Sequence, residues 1–445
     1  MAFKGTKFVL TLMIIIGTLG PIGGNLIIPM IPVLKNEFYT DISVIMLSVT
    51  LFMIPSALVQ FFSGSLSDVY GRRPPIVAGL VTYGLSFLLA SATSNIWWFV
   101  ATRILQGVGS ALATPVLIAV IGDLTDETNR GRWMGFYSSA LRAGIALASF
   151  VGGVMAYQWR LLFVVMGVLG LVVAACSWIC LGGLKGERGS GGEMIKNMKE
   201  VARNKGVLAL SAAGFITFFS YVALISITSD VLTSFPYFMD PSSVGLILSV
   251  SGIAGVISAS LAGFIADKFG RKAISSAGAV IASLSLLALA AVTLYPSPLF
   301  PFYYIPNVLG QEIERVGFQM LVSLSLFQSF LRAATAEAFM HFIVLMSIMG
   351  VGISFTWPAL LALSVEIIPP RQRGAASSLF NGMRFLGYAV APTMFTPIYL
   401  NAGLDAALLL SSLMLGLVIV MVHVATGSQA KPVGETEDRS KHTPQ

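Results

Sequence analysis

The chain has 445 residues, 56% of them apolar and 11% charged, with a formal net charge of +7. A soluble domain carries roughly 25% charged residues, so a water-facing surface over most of this chain is excluded. The positive surplus sits in short loops, where it reports orientation in a bilayer rather than binding of nucleic acid.

A membrane helix needs ~20 mostly apolar residues. Runs of that kind fall at 8–30, 43–66, 75–93, 96–121, 133–156, 161–183, 207–231, 242–265, 273–294, 338–363, 375–399 and 404–425. They predict an all-α membrane protein with twelve transmembrane helices, because barrel strands would alternate along each run. Lys4 and Lys7 precede the first run, as in a signal peptide, but no small-residue cleavage site follows. That run is expected to be retained as the first span. Trp97 and Trp98 open the fourth run as interfacial anchors, and Cys176 and Cys180 in the sixth read as packing residues.

Most of the 27 Lys and Arg fall in loops on the side of the termini, including Arg72, Arg73, Arg130, Arg132, Lys268, Arg271, Lys272, Arg371 and Arg373. Both termini are therefore expected in the cytoplasm. Residues 184–206 begin Gly-Leu-Lys-Gly-Glu-Arg-Gly and form a cytoplasmic linker, with room for a short amphipathic helix from Glu193. The linker divides the chain into bundles over 1–183 and 207–426, and the polar tail 427–445 is expected to be disordered.

A charged loop follows the second run: Gly64, Leu66, Asp68, Gly71, Arg72, Arg73. It recurs after the eighth as Gly263, Ile265, Asp267, Gly270, Arg271, Lys272. Gly107, Gly109, Pro115, Asp123, Arg130 and Gly131 recur as Gly350, Gly352, Pro358, Glu366, Arg373 and Gly374. The second copy is longer between its two repeats, and the surplus falls at about 295–336. Its prolines and the cluster Glu312, Glu314, Arg315 argue against two further crossings. An outer loop followed by an interfacial or span-extending helix near 316–332 is expected.

The doubled loop in a twelve-span chain resembles the major facilitator superfamily, over essentially all of the chain except the insert and the tail. The resemblance implies two pseudo-symmetric six-helix bundles and alternating access around a central cavity. It implies a conformational latch built on Gly64, Asp68, Gly71, Arg72 and Arg73 with Asp123 and Arg130, and on Gly263, Asp267, Gly270, Arg271 and Lys272. Asp68 can accept from Arg72 or face a helix N-terminus. The positive-inside rule alone would explain the cations but not Asp68 and Asp267. Arg103, Gln106, Gly107 and Gly109 resemble the fourth-helix motif of proton-linked transporters, in which the arginine is thought to assist proton movement. The other reading of Arg103 is a guanidinium bonded to backbone carbonyls. Helix 5 resembles the glycine-rich motif of exporters, but Ala148 and Ser149 stand where Gly-Pro is usual, so those glycines equally suit close packing.

A charge inside a span marks function by default. Arg142 and Arg384 lie near mid-span at almost equivalent repeat positions. With Arg103 they make three intramembrane cations, to be met by an anionic substrate or by carbonyls and packing. Asp230 and Glu337 lie near the outer ends of spans 7 and 10. Asn25, Gln60 and Gln106 suit a cavity wall or helix–helix hydrogen bonds. His341 suits titration, substrate binding or one packing hydrogen bond.

No phosphate-binding loop, Cys/His cluster or nucleophile–base arrangement appears, so neither enzyme, metal nor cofactor is expected. The leading expectation is a monomeric plasma-membrane antiporter resembling the drug:proton branch, exporting a small amphipathic compound. The alternatives are an organic-anion transporter using Arg103, Arg142 and Arg384, and a non-transporting receptor or scaffold.

Overall fold

A computed structural model describes residues 3–182, 198–234, 237–294, 325–369 and 372–427. The described regular elements are helices. They are α1 Phe3–Asn25, α2 Ile31–Glu37, α3 Ile42–Tyr70, α4 Arg73–Ala92, α5 Ile96–Leu124, α6 Glu127–Val154 and α7 Trp159–Cys180. They continue with α8 Lys205–Thr233, α9 Pro241–Phe269, α10 Arg271–Leu294, α11 Ser325–Glu366 and α12 Arg373–Gly427.

Among the described residues ten helical stretches are long and apolar enough to cross a membrane, α6 not being one of them and the last, Ala375–Thr426, covering two of the expected runs. Helix α12 breaks at Gly403 (φ 86°) into the eleventh and twelfth. The first continuous helix has the length of the run 8–30 but begins and ends five residues earlier. It ends at Asn25, and the chain passes through a 3₁₀ turn, Ile28–Met30, into α2. Helix α11 decides between the alternatives for the insert: from Ser325 the chain is one helix continuous with the tenth span, so that portion is the span-extending helix. The rest of the insert, 295–324, lies outside the described residues, as do 183–197 of the linker and the tail from 428.

Helix α3 packs on α5, α4 on α5 and α7, and α1 on α6, while α8 packs on α12, α10 on α11 and α12, and α9 on α11. The two halves meet through α6 against α9 and α3 against α12. Small residues permit the close approaches that membrane helices need. A Cβ on Gly109 would lie 2.6 Å from the Gly79 carbonyl oxygen, and one on Gly352 would lie 2.7 Å from that of Gly278. The same contact thus recurs between α4 and α5 and between α10 and α11. Outward-facing apolar residues recur at helical spacing, as in Leu161, Val164, Val165, Val168 and Val172 of α7. In lipid such a stripe is the expected surface, since the solvent is itself apolar. Cys176 and Cys180 are free and pack against the core.

Capping chemistry sets several helix starts. Asn95 accepts from the Trp97 and Trp98 amides and Asn204 from the Val207 amide. Asp240 accepts from the amides of Ser242 and Ser243. Burial raises the Asp240 pKa, but these bonds and the Ser243 hydroxyl outweigh that and hold it below the usual carboxylate value.

The two signature loops share one backbone feature. Gly71 ends α3 at φ 88°, ψ 168°, and Gly270 ends α9 at φ 84°, ψ 144°. This region is nearly reserved for glycine, and a side chain there costs of order 1–3 kcal/mol. Gly71→Ala and Gly270→Ala should each lower thermal stability in detergent by about that amount. An unchanged unfolding midpoint in both would show that the loops relax without strain.

Candidate functional site

The chain's polar contacts are best followed along the axis between the halves, from the face opposite the signature loops (the far face) to the loop face. At the far face Lys35 of α2 lies 3.1 Å from Asp230 of α8. Tyr399 of α12 donates to the other Asp230 oxygen at 3.1 Å. The Asp230 side chain is only 8% exposed, so its charge depends on these partners. The ion pair joins the first half to the second. Beside it lies a far-face recess of about 730 Å³, lined by Lys35, Tyr39, Asp41, Asp230 and Leu400 among others.

Below this, the halves stay in contact. The Thr50 and Thr393 hydroxyls lie 3.0 Å apart, and Tyr388 donates to the Asn25 side chain. Gly153 of α6 and Gly245 of α9 touch backbone to backbone: a Cβ on Gly153 would lie 2.8 Å from the Gly245 Cα. One apolar core runs through both halves here, whereas separate small clusters form within the second half, one of them around Val201, Val207, Ile368 and Ala376.

At mid-depth, Arg142 of α6 and Arg384 of α12 converge on Trp357 of α11. Their guanidinium carbons lie 5.1 and 4.8 Å from its ring centroid. Arg384 also lies over Phe218, at 4.9 Å, and Phe385, at 4.2 Å. Arg142, Trp357 and Arg384 are all partly exposed. The sequence-level pairing of Arg142 with Arg384 thus becomes a spatial one.

Arg103 is different, and it does not line the cavity. It is fully buried in the first half, donating to the Gly23 carbonyl at 2.9 Å, the Ser48 carbonyl at 3.3 Å and Gln106 Oε1 at 2.5 Å. It also lies over Phe52 at 4.4 Å. These contacts tie α5 to α1 and α3, which is the carbonyl-bonded alternative. Gln106, expected as a possible cavity residue, is likewise buried against Arg103. Gln60 is half-buried on α3, and His341 is half-buried on α11. The glycines of helix 5 serve packing: Gly144 abuts Thr18, and Gly152 abuts Leu26 and Pro29.

At the loop face, the ion pairs among described residues stay within one half. Arg72 Nε lies 2.9 Å from Asp123, and Arg271 pairs with Glu366. These are equivalent repeat positions, and Glu366 completes the second copy, which the candidate set lacked. Arg73 departs from the latch expectation: it stacks on Trp178 of α7, 3.5 Å from the ring centroid. The side chains of Gly64, Asp68, Arg130, Gly263, Asp267 and Glu337 lie outside the described residues.

Several residues at the centre are not singled out by sequence: Lys35 stands at a span boundary, and Trp357, Phe218, Tyr388 and Tyr399 stand inside apolar runs. The one available signal was Trp357 standing beside Pro358, in the repeat that matches Pro115.

If the far-face contact holds the halves together, removing Lys35 leaves Asp230 buried without its cation. The penalty is about 1–3 kcal/mol, or a 5–150-fold shift between states. With Cys176 and Cys180 replaced by Ser, a Thr50→Cys reporter should react with an impermeant maleimide faster by about that factor when Lys35→Met is added. An unchanged rate would show that Lys35 does not hold the far face shut.

The family model described as Major Facilitator Superfamily matches residues 13–311 and 211–444. The bacillibactin exporter of Bacillus subtilis is 24% identical over 394 residues, 86% of this chain and 87% of the relative. The class H tetracycline resistance protein of Pasteurella multocida is 26% identical over 273 residues, 59% and 68% of the two chains. In fold, the chain is similar to a bacterial homolog of the human lysosomal transporter Spinster solved in an inward-facing, occupied conformation. The TM-score is 0.67 at 17% identity, covering 95% and 97% of the chains. The chain belongs to the major facilitator superfamily and is a multi-pass membrane transporter.

Proposed function

We propose that this transporter exports a small amphipathic organic compound across the plasma membrane by alternating access, with protons as the coupling ion. The loop face and both termini are cytoplasmic in this reading, and one chain is the working unit. The observation that carries it is the Lys35–Asp230 pair. A charge pair that crosses between the halves at the far face, while the loop-face pairs among the described residues stay within each half, suits a state closed outside and open inside. Rocking the halves would separate Lys35 from Asp230 and close the loop face, where Asp68, Arg72, Asp123 and Arg130 would form the latch.

Export is supported by two relatives whose names describe an exporter and a drug-resistance protein. Coupling is assigned to the acids near the far face, Asp230 and Glu337. Asp230 borders the far-face recess, within reach of external protons. Protonating it would remove the charge that attracts Lys35 and would loosen the closure from outside.

Reconstitution tests the coupling. In proteoliposomes with an acidic lumen and a trapped pH dye, adding a transported compound outside should raise the internal pH as protons leave. Asp230→Asn should reduce that signal at least about tenfold. Compound uptake with no pH change, and no sensitivity to an uncoupler, would rule out proton exchange while leaving transport intact.

A further inference from the structure

Three intramembrane arginines share one chemistry but have two kinds of surroundings. The guanidinium group carries five N–H donors. Arg103 gives three bonds, to two carbonyls and a side-chain amide oxygen, and only its Nη2 is buried without a partner. Arg142 and Arg384 meet ring faces instead, and the described structure gives neither a hydrogen-bond acceptor nor a carboxylate. The Arg384 Nε is buried without a partner. So is the hydroxyl of Tyr137, on the helix that carries Arg142, and so is the indole N–H of Trp357. A ring face attracts a guanidinium but accepts no conventional hydrogen bond, and stacking is worth less than the solvation lost inside a membrane. The two cations share the Trp357 ring, so each also repels the other.

A cluster of this kind lacks a negative partner, and its walls are flat and apolar. A carboxylate, phenolate or similar anion would accept from both guanidinium groups, since charge-assisted bonds to arginine are favoured in a planar, bidentate geometry. A ring attached to that anion would stack against Trp357 and Phe218. A cation would meet two like charges, and a small inorganic anion would leave the aromatic walls unused.

We infer that the transported compound is a planar aromatic organic anion, held between Arg142 and Arg384 with its ring against Trp357. This rests on the transport reading above and specifies its cargo. All three residues are partly exposed, which leaves them reachable by a solute. Tyr388, one helical turn from Arg384 and bonded to Asn25 of the other half, stands on the far-face side of the cluster. An anion that drew α6 and α12 together would therefore act beside a contact that already joins the halves.

The test uses full-length protein in proteoliposomes and two planar dyes of opposite charge, fluorescein and ethidium. Wild-type protein should move fluorescein and not ethidium. Arg142→Gln and Arg384→Gln should each reduce fluorescein flux about tenfold or more, with partial recovery in Arg142→Lys and Arg384→Lys. Trp357→Leu should raise the fluorescein concentration for half-maximal flux several-fold, which a purely structural arginine pair would not explain. Transport of ethidium in preference to fluorescein would overturn the anion assignment while leaving transport standing. So would fluorescein flux unchanged in both glutamine variants. Failure to move either dye would also overturn the assignment. It would count against transport only if the Thr50→Cys reporter showed, in addition, no change of far-face exposure in Lys35→Met.

Discussion

A carboxylate that is almost fully enclosed in a membrane protein has to be neutralised by something fixed. Asp230 is met by Lys35 from the other half and by Tyr399 from its own. Because the partners belong to different halves, the charge balance of Asp230 and the closure of the far face are one event. Separating the halves there returns Asp230 to water, and bringing them together encloses it again beside Lys35, whose side chain stays 33% exposed. The pair is therefore a reversible contact rather than a permanent strut: its attraction is offset by desolvation, leaving a net preference of modest size. The apolar and glycine contacts below it, such as Gly153 on Gly245, supply close packing without charge.

The treatment of cations separates scaffold from pathway. Arg103 gives three hydrogen bonds to its own protein, and those bonds clamp three helices of the first half. Arg142 and Arg384 are left with ring faces, on helices α6 and α12 that belong to opposite halves. At the loop face, Arg72 with Asp123 and Arg271 with Glu366 fasten each half to itself in equivalent ways. Rocking can then occur between two bodies that each remain intact.

Much of this was legible in the sequence, for definite reasons. Spans are long apolar runs, and signature loops are charged interruptions of them, so architecture and internal repeat appear without any tertiary information. The repeat register also placed Arg142 beside Arg384 in equivalent halves, which their meeting at Trp357 reflects. What sequence could not resolve was the partner of each polar residue. Arg103 and Arg142 are both arginines inside spans, and only the tertiary fold distinguishes three oxygens around one from a ring face under the other. Lys35 carries no sequence signal of its own, because a lysine at a span boundary normally snorkels to the interface. Its role comes from Asp230, far away in the chain. The insert was legible as a surplus of residues with an interfacial or span-extending helix, and the described part from Ser325 is the span-extending one.

The claim that Lys35 and Asp230 close the far face by their opposite charges is tested most directly by exchanging them. Spin labels at Tyr39 and Leu400 flank the pair in the two halves, and their separation reports far-face opening. Lys35→Asp alone and Asp230→Lys alone should each lengthen that distance. The double variant Lys35→Asp with Asp230→Lys should return it toward the wild-type value. A double variant as open as either single one, or single reversals that leave the distance unchanged, would contradict the account.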